Sequence, residues 1–326
     1  NEILARIEQL EHFQFFFTLS CAESRWDEVI AAVCKKKGHR VSAEPNSNQN
    51  KYFIDDEPLE NFKKGITNMS QFLKSHYILV TRMFDDRVKA FIKNILMNHK
   101  VEYYVYRVEF QVRGMPHIHG VFWLQRDEMR KYQDSNGEVD KDKIVDLIDQ
   151  WISCSLDTGN EELNKIVREV NVHKHTKSCK KYGPNCRFNF PRFPSNETII
   201  ARPLSKDIPE EERQTKQSKA KETLECVKKA LNEISEESED KSLEEFLNDL
   251  NIKYEDYREA LTISQRGDVV ILKRTIKERF VNNYNACFLL SWNANMDIQF
   301  CSDLHAVVTY ITDYFSKEDE GLTRHN

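Results

Sequence analysis

"YYVYRVEFQVRGMPHIHGVFWLQ", residues 103–125, sets two histidines one residue apart in a chain that alternates apolar and polar side chains. In an extended chain successive side chains point to opposite faces, so His117 and His119 share one face while Ile118 takes the other. Upstream, Tyr104, Tyr106, Val108, Phe110 and Val112 make an apolar face, and Arg107, Glu109 and Gln111 fall on the face of the histidines. The Gly and Pro of "RGMP" mark a connection, after which Ile118, Gly120, Phe122 and Leu124 resume the apolar face. The stretch predicts an antiparallel hairpin whose polar face carries two imidazoles able to grip a metal ion.

Directly opposed residues of an antiparallel pair lie on one face, which restricts the register. One short-loop register sets Gln111 opposite His117, and a register shifted by two sets it opposite His119. Gln111 is therefore the expected third ligand. Glu109 is the alternative, and a bulge could exchange the two. Two imidazoles plus a carboxamide or carboxylate do not close a four-ligand zinc cage; this mixed set suits Mg²⁺ or Mn²⁺ with positions left open for substrate. A His-x-His pair by itself also occurs as a plain polar surface pair, so its meaning depends on the rest of the chain.

Far downstream, "DLHAVVTYITDYFSKE" places Tyr310 and Tyr314 four residues apart, on one face of a predicted helix that Lys317 extends. Val307, Val308 and Ile311 supply a separate apolar stripe, so burial does not require the tyrosines. Two phenols projecting together suggest paired nucleophiles.

Three segments together resemble the N-terminal replication-initiator nuclease of Helitron rolling-circle transposases, a branch of the HUH endonucleases. They are "FFFTLSCAESRW" (15–26), "EFQVRGMPHIHGVFWL" (109–124) and "FVNNYNACFLLSWNANMDIQFCSDLHAVVTYITDYFSK" (280–317). The resemblance implies an α+β fold around a central antiparallel sheet of HUH-nuclease type with flanking helices. It also implies a metal-dependent nickase and strand transferase acting on single-stranded DNA, the transposon ends and the target. Tyr310 or Tyr314 would attack phosphorus to leave a covalent 5′-phosphotyrosine and a free 3′-hydroxyl. Lys317 would pair with phosphate or phenolate, or serve as a solvated helix-end lysine. One departure is Asp313, which precedes Tyr314 where some relatives would carry a basic residue. The family joins this nuclease to a helicase, which is expected in the full-length chain; no GxxxxGK[ST] phosphate loop occurs in these residues. A non-cleaving DNA-binding module of transposon origin and a metal hydrolase of another type are the competing readings.

"VNVHKHTKSCKKYGPNCRFNFPRFP", residues 170–194, crowds His173, His175, Cys179 and Cys186 into a turn-rich segment. The spacing resembles a structural Zn²⁺ site without a tight CxxC pair. His175, Cys179 and Cys186 are the expected ligands, with His173 or Cys301 as the fourth. The same segment carries Lys174, Lys177, Lys180, Lys181, Arg187 and Arg192 interleaved with aromatic residues, a pattern that grips single-stranded nucleic acid through phosphate contacts and stacking.

The formal net charge of −5 over 326 residues is not that of a general DNA-coating protein, so DNA contact must be local. Candidate patches are the basic segment above and "DDRVKAFIKNILMNHK" (85–100), whose helix Asp85 or Asp86 would cap. Eight cysteines without a secreted-type framework point to a reducing compartment, and the resemblance implies the nucleus. No run is apolar and long enough to span a membrane, and no leader pattern is present. A first residue that is Asn points to a fragment of a longer chain. The expected organisation is 1–135 as the first half of the nuclease core, 136–204 as a helical connection plus the basic knot, 205–260 as a charged helical insertion, and 261–326 as the second half with the tyrosine helix. The insertion reads as a solvated spacer or a partner surface, and "DVVILKRTI" as a strand rejoining the core.

Overall fold

The protein is described by a computed structural model over residues 13–45, 50–110, 115–134, 140–177, 179–180, 183, 186–235, 240–265 and 267–301. Four strands form its main antiparallel sheet: β1 (Phe15–Ser20), β5 (Val101–Phe110), β6 (Pro116–Leu124) and β9 (Met296–Phe300), in the order β5-β6-β1-β9. The histidine strand β6 is interior, and its hairpin partner β5 is an edge. Of the remaining strands, β2 (Val41–Glu44), β3 (Lys51–Ile54) and β4 (Glu57–Pro58) make a small ribbon. β7 (Ile199–Ala201) and β8 (Val269–Ile271) make another.

The helices are α1 (Asp27–Lys36), α2 (Leu59–Lys64), α3 (Met69–Lys74), α4 (Tyr77–Asn94), α5 (Arg126–Met129), α6 (Lys141–Trp151), α7 (Glu161–Ile166), α8 (Glu210–Glu233), α9 (Leu243–Asp249), α10 (Tyr254–Thr262) and α11 (Ala286–Trp292). Among the described residues, no helix is long and apolar enough to cross a membrane.

One face of the main sheet is the core. Phe15, Phe17 and Leu19 of β1, Ile118 and Phe122 of β6, and Met296 and Ile298 of β9 are all buried there with α4, α6 and α11. Phe15 stacks on Phe122 and on Trp151, each with ring centroids 5.1 Å apart. The alternation read from sequence thus sets the layering, except at Phe110, an even position that is exposed and lies beside Tyr77 of α4.

The hairpin register differs from both expected pairings. Glu109 pairs with His117 and Phe110 with Pro116, the last pair of the ladder. Pro116 then opens β6, a position where its missing N–H costs the ladder little. The bulge lies at the far end, between Val101 and Tyr103, and does not move the histidines. Gln111 lies outside the described residues.

α4 starts at Tyr77, so Asp85 and Asp86 are mid-helix residues and not caps. The apolar stripe extends upstream through Val80 and Phe84, and Asp85 pairs with Lys89 one turn on. "DVVILKRTI" supplies the short β8, which pairs with β7 and not with the main sheet; β9 is the late strand that completes the core. Helices α8–α10 are more than a solvated spacer. Val227, Leu231, Phe246, Leu247, Tyr257 and Leu261 pack into a hydrophobic cluster of their own. Ser242 and Glu245 form a capping box at the start of α9.

Candidate functional site

The second face of the main sheet is polar at the hairpin end. Across the four strands one row reads Arg107, His119, Thr18, Asp297, and the next reads Glu109, His117, Ser20. Farther along, Phe13, Phe16, Val121 and Trp123 close this face with a small hydrophobic cluster, so the polar rows sit at an apolar rim.

Both ring nitrogens of His119 face an oxygen. Nδ1 is 3.0 Å from the Thr18 hydroxyl, and Nε2 is 3.0 Å from Oε2 of Glu109. The Glu109–His119 contact is a hydrogen bond whose 3.0 Å is also the spacing of cis ligands on an octahedral ion, whereas Glu109, His117 and His119 do not converge as a group of three. Thr18 holds the ring from behind, as an outer-shell partner does. Burial lowers the pKa of His119 despite the Glu109 charge, which keeps the imidazole neutral and able to ligate. The His117 ring is 6.3 Å from that of His119, inclined by 70°. Burial raises the Asp297 carboxyl, with Gln299, Arg192, Arg274 and His119 opposing the rise. Thr18 and Asp297 were missed from sequence. Their signal is a polar residue at the histidine-face position of an otherwise apolar strand, in "FFFTLS" and "MDIQF".

The second constellation is the basic knot. His173, His175, Cys179 and Cys186 bring one ligand atom each within 4.8 Å of all the others, and the group could hold a metal ion. Among the described residues it is the one group of three or more His, Cys, Asp or Glu that converges this closely. Nε2 of His173 and Nδ1 of His175 are 3.3 Å apart, Cys179 Sγ is 3.5 Å from His175 Nδ1, and Cys186 Sγ is 3.4 Å from His173 Nε2. Zinc bonds of about 2.05 Å to nitrogen and 2.3 Å to sulfur give tetrahedral edges of about 3.3 to 3.6 Å for these pairs. The observed edges fall in that range.

The fourth member is thus His173, and Cys301 packs instead against the cluster of Phe13 and Trp123. The backbone N–H of Thr176 donates to Cys179 Sγ at 3.2 Å. His173 stacks on Phe190 with ring centroids 4.4 Å apart. Desolvation lowers the pKa of both His173 and His175, with His175 and Lys180 respectively as adjacent positive charges.

Main-chain pairing ties the knot to the sheet. Val172 bridges Val281, His173 N–H donates to the Phe280 carbonyl, and the Asn171 side chain accepts from Met296 N–H at the start of β9. Lys174, Lys177, Lys180 and Arg187 are exposed around it, and Arg192 is half-buried over the Phe190 ring. Lys181 lies outside the described residues, as do Tyr310, Tyr314 and Lys317.

The family model described as "Helitron helicase-like domain at N-terminus" matches residues 1–122. These residues are similar to a Helitron-like N-terminal domain. No curated protein matches the chain. The Helitron-like match contains β1, β5 and most of β6, and with them Thr18, Glu109, His117 and His119. The knot and β9 lie beyond the matched residues, so Asp297 reaches the histidine face from a distant part of the chain.

Proposed function

We propose that the chain is the nuclease of a Helitron-type rolling-circle transposase, working in the nucleus on single-stranded DNA in concert with a helicase. In this reading it nicks the strand and transfers it through a covalent 5′-phosphotyrosine. The observation that carries the reading is the meeting of Glu109 and His119 beside His117, on a polar sheet face within a Helitron-like sequence.

His117, His119 and Glu109 would hold Mg²⁺ or Mn²⁺, with Gln111 as the other oxygen-bearing third-ligand candidate. Such an ion, when bound, polarises the scissile phosphate and offsets charge in the transition state. Thr18 fixes the His119 ring, and the apolar rim of Phe16 and Trp123 limits water on that side. A tyrosine of pKa about 10 is a poor nucleophile at neutral pH and needs this assistance. The phenolic oxygen of Tyr310 or Tyr314 attacks phosphorus and loses its proton; the O3′–P bond breaks, and the leaving 3′-oxygen takes up a proton. The phosphodiester energy is kept in the new ester, so rejoining needs no ATP. A second tyrosine can open another strand while the first still holds its DNA end, which suits strand transfer.

A zinc-bound knot would brace β9 through the Asn171–Met296 hydrogen bond beside it and present its lysines to the DNA backbone.

The test is incubation with an end-labelled single-stranded oligonucleotide and Mn²⁺, followed by a denaturing gel and mass spectrometry of any nucleotide linked to protein. An adduct is expected on Tyr310 or Tyr314, and the double Tyr310→Phe, Tyr314→Phe variant is expected to lose it while staying folded. Oligonucleotide binding without any adduct would instead indicate a non-cleaving module.

A further inference from the structure

A cavity of about 360 Å³ opens where α8, the β7–β8 ribbon and the tail of the knot meet. Its wall divides by chemistry. Leu224, Leu261, Ile263 and β8 residues supply its apolar lining, and Arg192, Lys228 and Arg274 its cations, with the Phe193 ring beside Lys228. No carboxylate lines it among the described residues. In the shallower groove that continues along α8, Glu225 is already paired with Lys221 at 3.9 Å.

The hydrogen-bond and ring partners of these cations are neutral groups; the carboxylates of Asp297 and Glu278 act on Arg274, and that of Asp297 on Arg192, only at longer range. Lys228 Nζ donates to the Asn189 carbonyl at 2.9 Å and to its side-chain oxygen at 2.5 Å, and lies 5.1 Å from the Phe193 ring centroid. The Arg192 guanidinium lies 4.9 Å from the Phe190 ring centroid. Arg274 donates to the carbonyls of Glu278 and Val281 and to the Asn283 side chain. Gathering positive charge in a partly buried space is costly unless an anion joins it. The strain registers at Lys228, whose pKa falls to about 8, first through burial and then through Arg192. Asp297, opposite Thr18 in the sheet, is within electrostatic reach of Arg192, Arg274 and His119, so one carboxylate relates the cavity's arginines to the histidine face.

We propose that this cavity is a nucleotide subsite, taking a phosphate between Arg192 and Lys228 and a base against Phe193 and the apolar wall. Its volume is at the lower end for small-ligand pockets, which suits one nucleotide and not a duplex. Phosphate contact plus stacking on an aromatic ring is the general way a single strand is held without reading its sequence. The nucleotide can be a link in a DNA strand or a free nucleoside monophosphate. Placement of a strand here builds on the function proposed above, whereas the chemistry of the pocket stands by itself.

The test uses the full chain and two probes, a fluorescein-labelled oligo-dT of about 12 nucleotides and thymidine 5′-monophosphate. Lys228→Gln removes the charge, and Leu224→Trp fills the cavity without touching a cation. Each is expected to weaken oligonucleotide binding on the order of fivefold or more in fluorescence anisotropy. Displacement of the oligonucleotide by the monophosphate, lost in both variants, would assign the site to a free nucleotide; no displacement would assign it to the strand. In the parent protein, photo-crosslinking with an oligonucleotide carrying 5-iododeoxyuridine should label peptides containing Phe193 or residues 261–272, whether or not the variants fold. Parent-like binding by both folded variants, or crosslinks confined to other peptides, overturns the subsite. The double Tyr310→Phe, Tyr314→Phe variant separates the two ideas: it should lose the covalent adduct and keep the crosslink.

Discussion

Glu109 reaches His119 diagonally across the hairpin, Oε2 to Nε2 at 3.0 Å, although the residue directly opposite His119 is Arg107. The contact crosses from one polar row to the next and brings a carboxylate to an imidazole that Thr18 already orients. Glu109→Ala is expected to weaken Mn²⁺ binding by more than about tenfold, measured by calorimetry. Folding stability should change by about 1 kcal/mol or less, because the Glu109 side chain is 40% exposed and exposed ion pairs contribute little. Gln111→Ala is the paired measurement. If it abolishes binding while Glu109→Ala does not, the third ligand is the carboxamide.

Gly120 is where β6 has no room for a side chain. A Cβ there would stand 2.7 Å from two ring carbons of Phe17 and 2.9 Å from the Val105 carbonyl oxygen. Phe17 is fully buried and Val105 offers backbone, so neither can yield cheaply. Gly120→Ala should therefore cost about 1–3 kcal/mol in urea unfolding. The adjacent His119 should shift with its strand and lose Mn²⁺ affinity. An unchanged unfolding midpoint would show that the strand can relax around a methyl group.

Local periodicity carried the sequence reading further than long-range pairing did. The shared face of His117 and His119 and the buried face of Ile118 and Phe122 follow from a two-residue repeat, and both are present. Register was not legible, because side-chain alternation is the same in every even-shifted register. The start of α4 was misread because an acidic pair signals a cap only where the apolar stripe begins, and the stripe runs upstream to Val80. Asp297 escaped because nothing local announces that "MDIQF" pairs with "FFFTLS". In the knot, residue type and spacing pointed to a converging group; that His173 and not Cys301 joins it was not legible, because it depends on the long-range pairing of Val172 with Val281.

The knot makes a separate prediction about metal content. Purified chain is expected to retain about one zinc per molecule by elemental analysis, filling the four-ligand set. Cys186→Ser or His173→Ala should release it and lower the melting temperature by on the order of 5–10 °C, because the knot also secures the approach to β9. Cys301→Ser should keep the zinc. Loss of metal from Cys301→Ser with retention in His173→Ala would reverse the assignment of the fourth ligand.

Lys228 gives opposite pH trends for binding and for stability. Its ammonium is depressed from 10.5 to about 8, so it sheds its charge as pH rises through about 8. Arg192 and Arg274 stay charged at that pH; Cys186, Lys221 and Glu225 are the other titratable groups around this part of α8 and the knot. Oligonucleotide binding should therefore weaken between pH 7 and pH 9 as the phosphate loses one cationic partner. Stability moves the other way. Above about pH 8 the unfolded chain, with its lysine near the ordinary 10.5, binds more protons than the folded one, so this residue's contribution rises with pH toward that value. Anisotropy titrations and urea unfolding at both pH values, in parent and Lys228→Gln, isolate these contributions by difference. The variant should flatten both trends, and a parent whose binding strengthens toward pH 9 relative to Lys228→Gln would show that the Lys228 charge does not help to hold the phosphate.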